Sequence, residues 1–211
     1  MTDELQRYCE QHSDREPENL FKLERATNIH LINGRMCSGR LQGRLLKMIV
    51  EMIRPQRVLE LGTFSGYSAL CMAEGLPEGA TIDTVEADDE LEDFIRAAFD
   101  ASPFGDRIRL HIADALEFTQ LSKPETYDLI FIDADKRRYC DYYEASLRAL
   151  RKGGFILADN TLWDGHVINP TKAKDAQTAE IKRFNEIVAE DGRVEKVIIP
   201  LRDGLTVIRK L

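Results

Sequence analysis

Residues 128–136 read Asp-Leu-Ile-Phe-Ile-Asp-Ala-Asp-Lys, an apolar run that stops abruptly at Asp133, Asp135 and Lys136. A short apolar run without alternation, bounded by polar residues, fits a strand buried on both faces, the condition of a central strand in a parallel sheet. Parallel neighbours need crossover connections, so helices must flank such a strand. In open α/β sheets the ligand crevice lies beyond the carboxyl ends of the strands, which is where the charged cluster falls.

The rest of the chain agrees. Strand patterns at 58–61, 81–86, 107–112, 127–133 and 154–159 alternate with helical patterns at 67–74, 88–100, from Asp114, and through Tyr142 to Leu150. That alternation predicts a doubly wound α/β fold with a parallel sheet. The ending differs: a helix at 178–190 leads into strands at 194–199 and 205–208, joined by a short Pro/Asp/Gly turn, and such a pair should be antiparallel. Ahead of the sheet, residues 2–31 read as amphipathic helix, with Leu20, Leu23 and the stretch 29–31 on the apolar side and Pro17 in the first turn of a second helix. Residues 33–39 read as a loop, and 41–53 as a helix with Leu41, Leu45, Met48, Ile49 and Met52 at helical spacing, stopped by Pro55. One domain over 1–211 is expected, with 1–54 as N-terminal helices and cap and 55–211 as the catalytic core.

Composition narrows the partners. A net charge of −8 gives no general attraction to nucleic acid or an anionic membrane. No stretch approaches the roughly 20 apolar residues of a membrane span, and the N-terminal residues lack a basic-then-apolar leader, so a cytoplasmic protein is expected. Cys9, Cys37, Cys71 and Cys140 share no metal-like spacing and read as free, mostly buried thiols. The four His are scattered with no nucleophile beside them, which leaves a Ser/His or Cys/His hydrolase without support.

Two constellations carry chemistry. Glu60-Leu61-Gly62-Thr63-Phe64-Ser65-Gly66 follows a strand and opens a helix, but it lacks the G-x-G-x-x-G of a dinucleotide site. Glu60 would repel pyrophosphate and could pair with a cation, while Glu86 and Asp114 end the next two strands, Glu86 where ribose hydroxyls are read. Acids without a phosphate cradle suggest S-adenosylmethionine; the plainer reading is a tight turn and a helix cap. Asp133 ends the fourth strand and Asp159-Asn160 the fifth. Strands about 4.8 Å apart could let two carboxylates and an amide oxygen converge on a hard cation, Mg²⁺ first, with Mn²⁺ or Ca²⁺ as alternatives. The plainer reading is a strand-end acid and a turn pair. Lys136 stands near the same mouth, where a Lys with lowered pKa could take a phenolic proton, or simply pair with Asp135.

With VLELGTFSGYSAL at 58–70, DADKRRYCDY at 133–142, GGFILADNTLWDGHV at 153–167 and PLRDGL at 200–205, the chain resembles the cation-dependent O-methyltransferases of the caffeoyl-CoA and catechol type, from about Met36 to Lys210. The resemblance implies a Rossmann-like class I methyltransferase sheet of seven strands, the last antiparallel, with extra N-terminal helices. It implies metal binding by Asp133, Asp159 and Asn160, with Lys136 as base. It places the methyl donor against Met36, Glu60, Gly62, Thr63, Ser68, Glu86, Ala87, Asp114, Ala115, Asp133 and Tyr142. It sets Trp163, with Lys136 and Asn160, at the acceptor, a small catechol-like phenol, and it implies a homodimer. Ala113 departs from the Gly common in relatives. Two other functions stay open. One is methylation of a hydroxylated tRNA base, for which Arg137, Arg138, Lys172 and Lys174 could contribute a local patch against the overall charge. The other is a non-catalytic S-adenosylmethionine-binding module, which an intact Asp133, Lys136, Asp159 and Asn160 argues against.

Overall fold

A computed structural model describes residues 3–211. It contains a seven-stranded sheet in the order β3-β2-β1-β4-β5-β7-β6. The strands are β1 (Arg57–Leu61), β2 (Thr81–Glu86), β3 (Ile108–Ile112), β4 (Tyr127–Ile132), β5 (Leu150–Ala158), β6 (Val194–Ile199) and β7 (Leu205–Lys210). Eight helices accompany them: α1 (Asp3–Gln11), α2 (Glu18–His30), α3 (Gly39–Ile53), α4 (Tyr67–Gly75), α5 (Glu92–Asp100), α6 (Ala115–Leu121), α7 (Tyr139–Ala149) and α8 (Ala176–Glu190). Strand β7 runs antiparallel to both β5 and β6, so the reversed ending expected from its short turn is present. No helix among the described residues is long and apolar enough to cross a membrane.

The described residues divide into two units, one of residues 3–56 and 63–112, the other of 57–62 and 113–211. In the first, β2 and β3 pair in parallel from Ile82↔Ile108 to Glu86↔Ile112. Helix α3 turns toward its neighbours a face of Gln42, Gly43, Arg44, Leu46, Ile49 and Val50. Of its periodic apolar residues only Ile49 is buried; Met48 and Met52 are exposed, because helical spacing defines a stripe without saying which stripe is covered. On α2, Leu20 and Leu23 are buried as expected, whereas Ile29 is exposed. Arg44 lies in the buried face because both its terminal nitrogens bond Glu74 of α4, at 2.9 and 2.6 Å. Tyr67, at the start of α4, donates to the Glu16 carboxylate.

In the second unit β1 pairs β4 from Val58↔Leu129 to Leu61↔Ile132, and β4 pairs β5 up to Ile132↔Ala158. Leu129, Ile130, Phe131 and Ile132 are fully buried, as a strand covered on both faces requires. Strand β5 begins at Leu150, four residues earlier than the glycines suggest. The register of β4 against β5 shifts there, and Gly153 takes a φ of 75°, so the Gly pair forms an irregularity inside the strand rather than a break before it. Cys37, Cys71 and Cys140 are buried and Cys9 partly so, and none of the four is in a disulfide.

Candidate active site

The ladder of β4 and β5 delivers the acids. Ile132 and Ala158 are the last registered partners, and the next residues on the two strands are Asp133 and Asp159. The Asp159 N–H extends the ladder by one bond to Ile132 O, at 3.0 Å, while the Asp133 N–H bonds Leu61 O at 2.9 Å. Asp159 is 4 % exposed and takes the Asn160 N–H on its Oδ1. Asn160 turns the chain with a φ of 59°, a conformation Asn tolerates better than most residues. Its side chain interacts with the Asp203 carboxyl and works to lower that group's pKa. Burial and the neighbouring Asp164 nevertheless hold the Asp203 carboxyl above the usual carboxylate range.

Lys136 opens the 3-10 turn Lys136–Arg138 that leads into α7. Its ammonium donates to Asp133 Oδ1 at 2.7 Å and to Ala134 O at 3.1 Å. Burial works to lower its pKa, but the Asp133 charge and the Tyr139 hydroxyl outweigh burial and raise it. Its nearest neighbour is a carboxylate, which stabilises the charged form.

Other expected donor-site residues in this unit divide by element. Glu60 is fully buried in β1. Gly62 follows with a φ of 94°, and a Cβ there would stand 2.1 Å from Asp133 O, so the position admits only glycine. Asp114 caps α6, accepting the N–H groups of Leu116 and Glu117, both at 2.9 Å, and its second oxygen receives Arg138 Nη1 at 2.5 Å. The α6 amides, then Arg138, hold its carboxyl below the usual range. The Arg138 guanidinium lies 5.7 Å from the ring centre of Tyr142, which is buried, as is Ala115. Trp163, partly exposed, begins three consecutive positive-φ residues with Asp164 and Gly165.

In the first unit, Met36 is exposed in the turn Gly34–Met36, and Ser68 and Thr63 are buried. Glu86 has a heavier structural duty than a strand-end acid suggests. Its Oε2 accepts the N–H groups of Thr63 and Phe64 at 3.2 and 2.7 Å, and its Oε1 those of Ala87 and Asp88 at 2.9 and 3.0 Å. The carboxylate thus ties the turn beginning at Thr63 to the end of β2, and exposed Ala87 contributes through its backbone. Thr63 adds a bond to Thr84 at 2.5 Å.

These residues fit the groups in question. Asp133, Asp159 and Asn160 offer hard oxygen donors alone, and a cation, the Lys136 ammonium, already sits on Asp133. Among the described residues no cluster of three or more His, Cys, Asp or Glu is placed to hold a metal, so a cation site here rests on two carboxylates and an amide. Tyr139, next to the turn that carries Lys136, escaped the sequence reading although it touches more of this site than Tyr142 does. Its spacing of three from Lys136 was the available signal.

Residues 10–211 match the O-methyltransferase family. The caffeoyl-CoA O-methyltransferase of Stellaria longipes is 31% identical over 206 residues, covering 93% of this chain and 85% of that protein. The crystal structure of the SAH-bound methyltransferase PaMTH1 of Podospora anserina superposes with a TM-score of 0.90 at 30% identity, covering 99% of this chain and 94% of that one. The O-methyltransferase of Bacillus cereus in complex with SAH gives 0.86 at 28% identity, covering 97% and 96%. With its reversed seventh strand, its acids beyond β4 and β5 and these likenesses, the chain belongs to the O-methyltransferase family and is an S-adenosylmethionine-dependent enzyme of the caffeoyl-CoA O-methyltransferase type.

Proposed function

We propose that the enzyme moves the methyl group of S-adenosylmethionine to one hydroxyl of a small vicinal diphenol, with a divalent cation held by Asp133, Asp159 and Asn160. The observation that carries this reading is the registered exit of Asp133 and Asp159 from neighbouring strands, with Lys136 seated on Asp133. A divalent cation held by Asp133, Asp159 and Asn160 would acidify a phenolic oxygen, and its charge would favour the neutral form of the nearby Lys136. Lys136 would act from its neutral form, its ammonium proton first released to solvent, and would then take the phenolic proton on Nζ. Asn160 would offer its amide oxygen to the cation. Trp163 borders the aromatic ring of the acceptor. For the donor, Asp114 accepts from the adenine amino group and Glu60 faces the cationic amino acid end. Gly62 and Ala115 contribute closeness, since small residues let backbone approach a ligand.

A nucleic-acid acceptor has less support. Of the basic residues that could form a patch, Arg138 is spent on Asp114, leaving exposed Arg137, Lys172 and Lys174. The test is SAH release from purified protein given S-adenosylmethionine and a simple vicinal diphenol, with Mg²⁺ or with a chelator. Turnover that needs Mg²⁺ is expected; turnover indifferent to the chelator would remove the cation from the reading.

A further inference from the structure

Tyr139 is fully buried on α7, a place where Phe would serve burial better unless the hydroxyl has work to do. That hydroxyl points at two carbonyl oxygens, Asp159 O at 2.9 Å and Ile132 O at 3.2 Å. These belong to the peptide units that join Ile132 to Asp133 and Asp159 to Asn160. Every residue of the proposed cation site therefore hangs from a peptide that Tyr139 touches. Beyond Ile132↔Ala158 the strands have no further registered pair, so nothing in the ladder past the Asp159 N–H bond fixes the spacing of their ends.

The Lys136 ammonium lies over the ring of the same tyrosine, 5.0 Å from its centre. An ammonium has three N–H donors. Asp133 Oδ1 and Ala134 O take two of them, and the Tyr139 ring flanks the ammonium on a further side. The ring itself is braced edge-on by Phe184 of α8, with centres 5.5 Å apart at 81°.

We propose that Tyr139 is a positioning residue: its hydroxyl clamps the carboxyl ends of β4 and β5 and its ring flanks Lys136, so that Asp133, Asp159, Asn160 and Nζ keep one arrangement. This rests on the cation reading above and adds to it a residue that touches neither donor nor acceptor. Outer partners that orient metal ligands commonly change affinity about 10–100-fold when removed.

The test compares Tyr139→Phe with Tyr143→Phe. Both delete one hydroxyl from buried tyrosines of the same helix, but Tyr143 bonds Asp191, away from the strand ends. Mn²⁺ affinity by electron paramagnetic resonance, SAH affinity by calorimetry, kcat, KM and melting temperature are read for each. In Tyr139→Phe, Mn²⁺ binding should weaken about tenfold or more and kcat fall by a similar factor. SAH affinity should stay within about twofold of wild type. Tyr143→Phe should melt lower yet keep wild-type Mn²⁺ affinity and kcat. Wild-type values in Tyr139→Phe, or equal losses in Tyr143→Phe, would overturn the proposal while leaving the cation reading intact. A wild-type protein that binds no Mn²⁺ would overturn both. Should Tyr139→Phe fold poorly, Phe184→Leu keeps the hydroxyl but loosens its ring, and Mn²⁺ affinity should drop about threefold; unchanged affinity there counts against the clamp.

Discussion

Gly62 leaves β1 in a left-handed conformation against the carbonyl of Asp133, and a methyl group there would lie 2.1 Å from that oxygen. The obstacle is backbone, which cannot swing aside. Gly62→Ala should therefore cost about 2–4 kcal/mol, read as a shift in the urea midpoint, from φ strain plus displacement of Asp133. Lys136→Ala tests the other side of the cluster. Removal of a general base lowers kcat by about 10²–10⁴-fold, while SAH affinity should hold within about twofold. Unchanged turnover would take the proton-accepting role from Lys136. At this scale the sequence was a partial guide. Asp133, Lys136, Asp159 and Asn160 were legible as types, because acids and amides at strand ends have few uses. Their states were not: the protonated Lys136, the Glu86 carboxylate wrapped by four backbone N–H groups, and the Tyr139 clamp all depend on neighbours supplied by other elements.

Element by element, local pattern was a good predictor where one period dominated. Strand β2 at 81–86 and β6 at 194–199 have the expected bounds, and β4 ends one residue before Asp133. The departures share a cause, which is that period and propensity do not report partners. Residues 89–91 form a 3-10 turn before α5, capped by Asp88, so the helix starts four residues later than expected. On α3 the apolar stripe through Met48 and Met52 is exposed, while Arg44 is taken inside by Glu74. That pair fastens α3 to α4, with side chains 10% and 16% exposed. Removing Glu74 strands a buried guanidinium, so Glu74→Ala should cost about 3–5 kcal/mol in chemical denaturation. Arg209→Ala, which breaks a largely exposed pair with Glu195, should change stability by less than about 1 kcal/mol. Comparable losses in the two variants would contradict the assignment of the first pair to the buried class.

For the whole molecule, acid stability follows from carboxylates held below their ordinary value of 3.8, among them Asp114, held by the α6 amides and Arg138, and Asp191, by Arg193 and Tyr143. A depressed folded pKa means that the unfolded chain binds protons first. The stability these groups contribute is thus complete above the unfolded value and disappears as pH falls through the lower folded values. Thermal melts should be nearly flat from these groups above about pH 5 and fall below about pH 4, and Asp191→Asn should flatten the acid limb.

The reaction itself is tested most directly by counting labelled methyl groups transferred from S-adenosylmethionine to a vicinal diphenol during a Mg²⁺ titration of wild type and Asp159→Ala. Wild type should saturate with Mg²⁺ and return to background on chelation, while Asp159→Ala stays at background with SAH affinity preserved. Wild-type turnover by Asp159→Ala in the presence of chelator would contradict a cation held at the ends of β4 and β5.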